Sequence, residues 1–406
     1  MATLKYWLWL TQRAGVSASR VNELLERFGT PEQAYFADAQ EYEGFPLNLR
    51  KSLEDKSLVK ADKILEECER QGISLLTLQD ASYPDCLKNI SDPPAVLYYK
   101  GKLPDFDREL SIGMVGSRKS SSYGEMMAAR LGLDLARAGA VIVSGIAQGI
   151  DSSAIKGALA GGGTVVCVLA GGIDIKYPWE SRFLYDDVAA TGALISEHPP
   201  GTPHKGAHFP VRNRIISGLS DGVIAVEAEE KSGTMITMNL ALEQNRDTFA
   251  VPGPADAPMS VGTNILIRQG WAKLVTDASD VLTEYEGRRP FKRVRRMEQE
   301  TVEQRLETAL QEPTRSAPAE KKEVDKKENR AYIDWKSAKE LFTDDERGIL
   351  LALEEKGLQV DEIIEVTQIP ARRVLSALTV LQLRGYVDEG IGKRFASLVR
   401  LQKEEK

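Results

Sequence analysis

The run Phe209-Pro210-Val211-Arg212-Asn213-Arg214-Ile215-Ile216-Ser217-Gly218-Leu219 sets two guanidinium groups and one amide where an extended segment is expected to turn into a helix. A helix start offers backbone N–H groups without intrahelical partners and a partial positive charge, to which the arginines add full charges. That combination suits an anion, phosphate above all. The competing reading is an ordinary first helical turn with solvated arginines. Three further stretches have the same strand–turn–helix character. Val115-Gly116-Ser117-Arg118-Lys119-Ser120 joins a glycine, for close backbone approach, to a cation. Ser144-Gly145-Ile146-Ala147-Gln148-Gly149-Ile150-Asp151 has two glycines and an aspartate able to cap the next helix. Ser232-Gly233-Thr234 opens another helix after a strand. Each signal is common alone; four in consecutive units point to a phosphate-binding crevice. There is no GxxxxGK[ST] loop and no GxGxxG after the first strand, so ATP and NAD are disfavoured and no cofactor is expected.

Catalytic groupings are thin. His198, His204 and His208 fall in one short segment, and the last two have the spacing of metal ligands on a helix. Pro199, Pro200, Gly201 and Pro203 make that segment a loop, so no metal is expected. Ser153-Ala154-Ile155-Lys156 fits the SxxK of serine acyltransferases, but in the wrong structural setting. Asp151, Asp174, Glu197 and Glu227 sit near strand ends, where capping explains them as well as acid–base work.

The elements that position these loops follow from apolar patterning. Runs at Ile112–Val115, Val141–Val143, Val165–Leu169, Leu194–Ser196, Val223–Glu227, Thr248–Val251 and Lys273–Val275 alternate with helical segments over residues 81–285. Near-continuous hydrophobicity with intervening helices predicts an α/β fold, a Rossmann-like doubly wound parallel sheet covered on both faces. Residues 1–80 read as short helices, with a serine start and Gly29 stop around Val16–Gly29, resembling a SAM-like or helix-hairpin-helix bundle. Residues 286–340 read as a flexible linker that opens with the basic tract Arg288, Arg289, Lys292, Arg293, Arg295 and Arg296 and includes Pro313 and Pro318. From 341 to 406, helices at Asp344–Glu355, Val360–Glu365 and Ala371–Leu383 precede a short hairpin through Gly390 and Gly392 to Phe395. That is the order of a winged helix, with Arg372 and Arg373 opening its recognition helix and Lys393 and Arg394 on the wing.

The net charge of −7 excludes a polyelectrolyte that coats nucleic acid indiscriminately, so any phosphate partner needs a local positive patch. Cys68, Cys86 and Cys167 lack CxxC spacing; a disulfide framework is not expected and a reducing, cytoplasmic setting fits. The apolar run Tyr6–Leu10 is too short for a signal peptide, no stretch has the length of a membrane span, and those aromatics are expected in a helix core.

These loops together resemble the DprA (Smf) family of bacterial DNA-processing proteins. The likeness begins at Asp80-Ala81-Ser82-Tyr83-Pro84 and Asp92-Pro93-Pro94-Ala95-Val96-Leu97-Tyr98. It runs through Gly116-Ser117-Arg118, the 144–151 loop, Gly172-Ile173-Asp174 with Tyr177-Pro178, Ser196-Glu197, Phe209–Leu219, Glu227 with Ser232-Gly233-Thr234, Ala250-Val251-Pro252-Gly253 and Asn264–Ile267. The resemblance implies a SAM-like domain, an extended Rossmann core and a winged helix. It implies a homodimer that binds and protects single-stranded DNA and helps load RecA recombinase during natural transformation, with no enzymatic turnover or cofactor. Carried over by position, Arg118, Arg212 and Arg214 hold phosphates and Arg182 adds a fourth charge. Gly116, Ser117, Asn213, Ser232, Gly233 and Thr234 give backbone or polar contacts, and Ile265, Leu266 and Ile267 form a dimer surface or belong to the core. Ile155 and Ser181 stand where the family often has histidine and asparagine. The alternative is a nucleoside-monophosphate hydrolase of the LOG type, but Thr237 occupies the place of that motif's catalytic glutamate and the preceding Pro-Gly-Gly is missing.

Overall fold

The computed structural model describes residues 2–291 and, further on, 331–334, 342–353, 358–370, 386–390, 394–397 and 399–402, with Arg373, Val374, Ala377, Leu378 and Leu381. The basic residues Lys292, Arg293, Arg295, Arg296, Arg372 and Lys393, the prolines 313 and 318, and Gly392 lie outside the described residues.

Five helices come first: α1 (Ala2–Thr11), α2 (Ala18–Phe28), α3 (Pro31–Phe36), α4 (Leu47–Glu54) and α5 (Val59–Gln71). The Ser17 hydroxyl accepts from Arg20 N–H and starts α2; Gly29, at φ 79°, closes it, as serine and glycine at those places predict. Trp7, Leu8, Trp9 and Leu10 of α1 are fully buried, in one continuous core with the sheet that follows.

That sheet has nine strands: β1 (Ser74–Thr77), β2 (Val96–Gly101), β3 (Ser111–Val115), β4 (Val141–Ser144), β5 (Val165–Leu169), β6 (Ala193–Ser196), β7 (Gly222–Ala225), β8 (Asp247–Ala250) and β9 (Lys273–Leu274). Their spatial order is β1-β2-β6-β5-β4-β3-β7-β8-β9, parallel from β6 to β9 and antiparallel at β1–β2 and β2–β6. Every side chain of β3 to β7 is buried, as strands covered on both faces require. The covering helices are α6 (Asp85–Lys88), α7 (Ser122–Arg137), α8 (Ile150–Ala160), α9 (Leu184–Thr191), α10 (His208–Gly218), α11 (Gly233–Glu243), α12 (Val261–Arg268) and α13 (Ala278–Leu282).

All seven anticipated strands occur within about a residue or two of their expected bounds, but the two antiparallel strands were not anticipated. They follow one another without an intervening crossover helix of the βαβ kind, so the alternation that marks the parallel strands is absent. The sheet therefore begins at Ser74, inside the stretch read as helical. A second correction concerns Phe209 and Pro210. They lie inside α10, which starts at His208, rather than in an extended lead-in. Proline is tolerated there because the first turn of a helix has no intrahelical use for its N–H. A third concerns the linker's first two arginines, which are not freely solvated: Arg289 pairs with Asp221 at 2.6 Å and Arg288 with Asp247 at 3.3 Å.

The C-terminal unit has its own core of Phe342, Ile349, Leu350, Leu353, Leu358, Ile363 and Phe395, among others. Helices Asp344–Ala352 and Val360–Thr367 precede an antiparallel pair of strands, Val387–Gly390 with Arg394–Ser397. Thr343 opens the first helix with a capping box to Glu346. Arg373 is bound to Asp345 at 2.7 Å and Arg394 lies 3.4 Å from Glu362, so the two described cations expected to meet DNA on this unit already face carboxylates.

Candidate nucleic-acid interface

The chain winds from β3 through β4 and β5 to β6 on one side, then returns so that β7 lands on β3's other side. Loops leaving the sheet at that reversal diverge and leave a crevice beyond the strands' carboxyl ends. The crevice here is a cleft of about 750 Å³. Gly116, Ser117, Arg118 and Lys119 line it after β3, Ala147 and Asp151 after β4, Phe209, Arg212 and Asn213 from α10, and Lys231, Ser232, Gly233 and Thr234 at the start of α11. An adjoining recess of about 450 Å³ shares Arg118, Tyr177, His204, Phe209 and Arg212 and adds Gln148, Trp179 and Glu180.

The four predicted arginines have four different fates. Arg118 is exposed, with its guanidinium carbon 4.7 Å from the centre of the Phe209 ring. Arg212 is only 6 % exposed and lies 5.9 Å from the same ring, so Phe209 is flanked by two guanidinium groups. Arg212 Nη1 donates to Gly145 O at 3.0 Å and to Val168 O, and Nε donates to Asn213 Oδ1 at 3.2 Å. It thereby ties together the ends of β4 and β5. Its Nη2 makes no hydrogen bond among the described residues, leaving donors for a ligand in the cleft that the side chain lines. Gly145 is needed for this approach: a Cβ there would come within 2.5 Å of Nη2. Arg214 is 7 % exposed and does not line the cleft. Its Nη2 donates to Glu197 at 2.7 Å and its Nε to Asp92 at 3.2 Å, a clamp between α10, the end of β6 and the loop before β2. Arg182 is exposed outside both cavities, its guanidinium 3.3 Å from the Trp179 ring centre. Neither Arg212 nor Arg214 is a solvated helix-start cation.

The polar loops are built as the sequence suggests, with one change of role. Asp151, buried in the first turn of α8, accepts from the N–H groups of Gly145 and Ala147 at 3.2 and 3.3 Å, so it shapes its own glycine loop instead of capping from outside. Burial pushes its carboxyl upward and the nearby Arg212 opposes this. Ser232 caps α11 through Met235 N–H, leaving the N–H groups of Gly233 and Thr234 at an open helix end. Asn213 Nδ2 donates to Gly233 O at 3.4 Å and joins α10 to that end. Lys119 and Lys231 were not singled out, although each adjoins a predicted residue. His204 arrives from a loop whose spacing to the cleft no local pattern encodes, while Tyr177 comes from the Tyr177-Pro178 motif.

The histidines form no metal site: among the described residues no three or more His, Cys, Asp or Glu side chains are placed to hold an ion. The rings of His198 and His208 stack at 4.3 Å, and His204 packs 5.1 Å from Tyr177. Burial, then the neighbouring His208, depresses His198 to about 4. A histidine depressed in the folded state binds its proton more readily when unfolded, so stability is full above pH 6.5 and falls as the pH drops toward 4. Allowing for the ring's partial exposure, the loss is about 1–2 kcal/mol. Urea midpoints at pH 7.5 and 5.0 should show it, and His198→Gln should flatten the difference.

Leu266 is fully buried in the core, whereas Ile265 and Ile267 are half-buried. Thr237 is buried and its hydroxyl donates to Gly233 O at 3.1 Å, so this position presents no carboxylate to the cleft.

A doubly wound, mostly parallel sheet whose strand-end loops converge on one cleft is the architecture of a Rossmann-like protein. Residues 74–286 match the family model of DNA recombination-mediator protein A, and residues 335–393 that of the DprA winged helix domain. The chain is 44% identical over 225 residues to the DNA processing protein DprA of Bacillus subtilis, spanning 55% of this chain and 75% of that one. It is 35% identical over 284 residues to Protein Smf of Synechocystis, spanning 68% and 71%. The X-ray structure of DprA from Streptococcus pneumoniae superposes with a TM-score of 0.61 at 34% identity, covering 69% of this chain and 97% of that one. The chain belongs to the DprA/Smf family of DNA recombination-mediator proteins. Among the described residues no helix is long and apolar enough to cross a membrane.

Proposed function

We propose that this protein binds single-stranded DNA in the cleft and acts as a recombination mediator, protecting incoming strands and helping to load RecA during natural transformation. The observation that carries the binding step is Phe209 flanked by Arg118 and Arg212. A half-buried aromatic ring is set beside two guanidinium groups, the pairing of stacking platform and cation that suits a base and its phosphate. A base reaches such a ring only when it is free of its own stack and partner, which favours the single strand over duplex. The uptake role, the recombinase partner and action as a homodimer without turnover are what family membership supports. Ile265 and Ile267 are the proposed contribution to the dimer surface. The hydrolase alternative is disfavoured because Thr237 supplies no acid or base.

Arg118, Lys119, Arg212 and Lys231 line the cleft, which gives a numerical test. If they neutralise about four phosphates of a single strand, log affinity should fall against log salt with a slope of about −3. Fluorescence anisotropy across a salt series should show that slope and a marked preference for single strand over duplex of the same length. A flat salt response, or equal affinity for duplex, would exclude binding by this cleft.

A further inference from the structure

The segment at the edge of the recess exposes two large aromatic rings. Trp179 is 70 % exposed and Phe183 53 %. Such large apolar faces are usually withdrawn from water unless they meet a partner. Each is already joined to a cation. The Arg182 guanidinium lies 3.3 Å from the Trp179 ring centre, and the Lys156 ammonium of α8 lies 5.4 Å from that of Phe183. Neither cation has a carboxylate partner within ion-pair distance among the described residues, whereas the nearby Lys176 is paired with Asp186 at 2.7 Å. With Arg118 and Arg212 beside Phe209, cation–aromatic pairs recur along the loops and helices that follow β3 to β6.

The second pair is continuous with the cleft, since Trp179 lines the recess that shares Arg118, Tyr177, Phe209 and Arg212 with it. The third follows within the same short segment, Trp179 to Phe183. We propose that the Trp179–Phe183 segment and Lys156 form a second binding track on which single-stranded DNA leaving the cleft continues, each pair taking one base on its ring and one phosphate on its cation. A guanidinium stacked on one face of an indole leaves the other face for a base and holds the ring in place, which lowers the entropic cost of ordering it on binding. The occupant is a strand rather than a protein surface because the rings alternate with cations that have no carboxylate partner among the described residues and continue the cation-lined cleft. An apolar protein ligand would leave Arg182 and Lys156 desolvated without partners. Glu180 in the segment and Asp187 in the following α9 are both exposed, and their negative charge keeps the track weaker than the cleft.

This inference rests on the cleft binding single strands, and the test separates the two. Affinity is measured against oligothymidylates of increasing length for the full chain, for Trp179→Ala/Phe183→Ala and for Arg118→Ala. In the wild type, affinity should continue to rise beyond the length that fills the cleft. The double variant should reach its plateau at a shorter length and lose about tenfold on the longest oligonucleotide, while matching the wild type on the shortest that binds. Lys156→Ala/Arg182→Ala should give the same shorter plateau and a shallower salt dependence. If the double aromatic variant follows the wild type at every length while Arg118→Ala is impaired, the track is wrong and the cleft stands. If Arg118→Ala is also unimpaired, the cleft itself is wrong. Unchanged DNA binding with lost capture of a purified protein partner would mark the rings as a protein-docking face and overturn the proposal.

Discussion

Arg118→Ala should weaken single-strand binding about thirtyfold near physiological salt and leave the fold intact. The two halves of that expectation come from one observation: Arg118 is exposed, lies over the Phe209 ring and makes no side-chain hydrogen bond or ion pair among the described residues. Its removal leaves no buried carboxylate or carbonyl without a partner, so unfolding free energy should change by no more than about 0.5 kcal/mol. A guanidinium–phosphate hydrogen bond contributes about 2 kcal/mol, which is close to thirtyfold in affinity. One phosphate contact fewer should also flatten the salt slope by about 0.7. Arg118→Lys keeps the charge but not the flat face against Phe209, and should recover the salt slope better than the affinity. Anisotropy titrations at several salt concentrations, with circular dichroism melts of the same samples, check all three. Unchanged affinity with an unchanged slope would remove Arg118 from the interface and leave the proposed stacking platform at Phe209 without its exposed cation.

The loops that line the cleft were legible because each obeys a local rule. Glycine permits close approach at 116 and 145, Ser232 caps the helix behind it, and apolar runs bounded by these turns mark the parallel strands. What could not be read was the direction of the α10 side chains. Arg212 and Arg214 are two residues apart, so on a helix they project to different sides. Only the tertiary fold decides that one reaches the strand ends beneath the cleft and the other reaches Glu197 and Asp92. The carboxylates concerned lie 17 and 122 residues away in sequence, beyond any local pattern. Burial of Leu266 had the same origin: an apolar helix face looks alike whether it meets a core or a second copy of the chain. Lys119 and Lys231 show the converse, being exposed cations that ordinary surface composition disguised until the loops were brought together.

That division between the two α10 arginines has a consequence opposite to Arg118's. Arg214→Ala should lower stability by about 3 kcal/mol and shift the melting temperature by roughly 10 °C, with little effect on the DNA affinity of the folded protein. The guanidinium is buried and bridges two carboxylates that come from separate parts of the chain, at 2.7 and 3.2 Å. Asp92 has one oxygen that is already buried without a partner, so removing the arginine strips the carboxylate of its counter-charge where water cannot fully replace it. Glu197 closes β6 directly before the loop that carries His204 to the cleft, so the clamp also fixes that loop's origin. Arg214→Lys should recover only part of the loss, because an ammonium on one stem cannot present the planar fork that meets both carboxylates. Glu197→Gln should be milder than Arg214→Ala, since the amide oxygen still accepts from Nη2 and no charge is left buried alone. Thermal melts paired with titrations below the lowered transition separate the two effects. If Arg214→Ala melted like the wild type but lost affinity as Arg118→Ala does, Arg214 would be a phosphate ligand and its ion pairs would have to open when the strand binds.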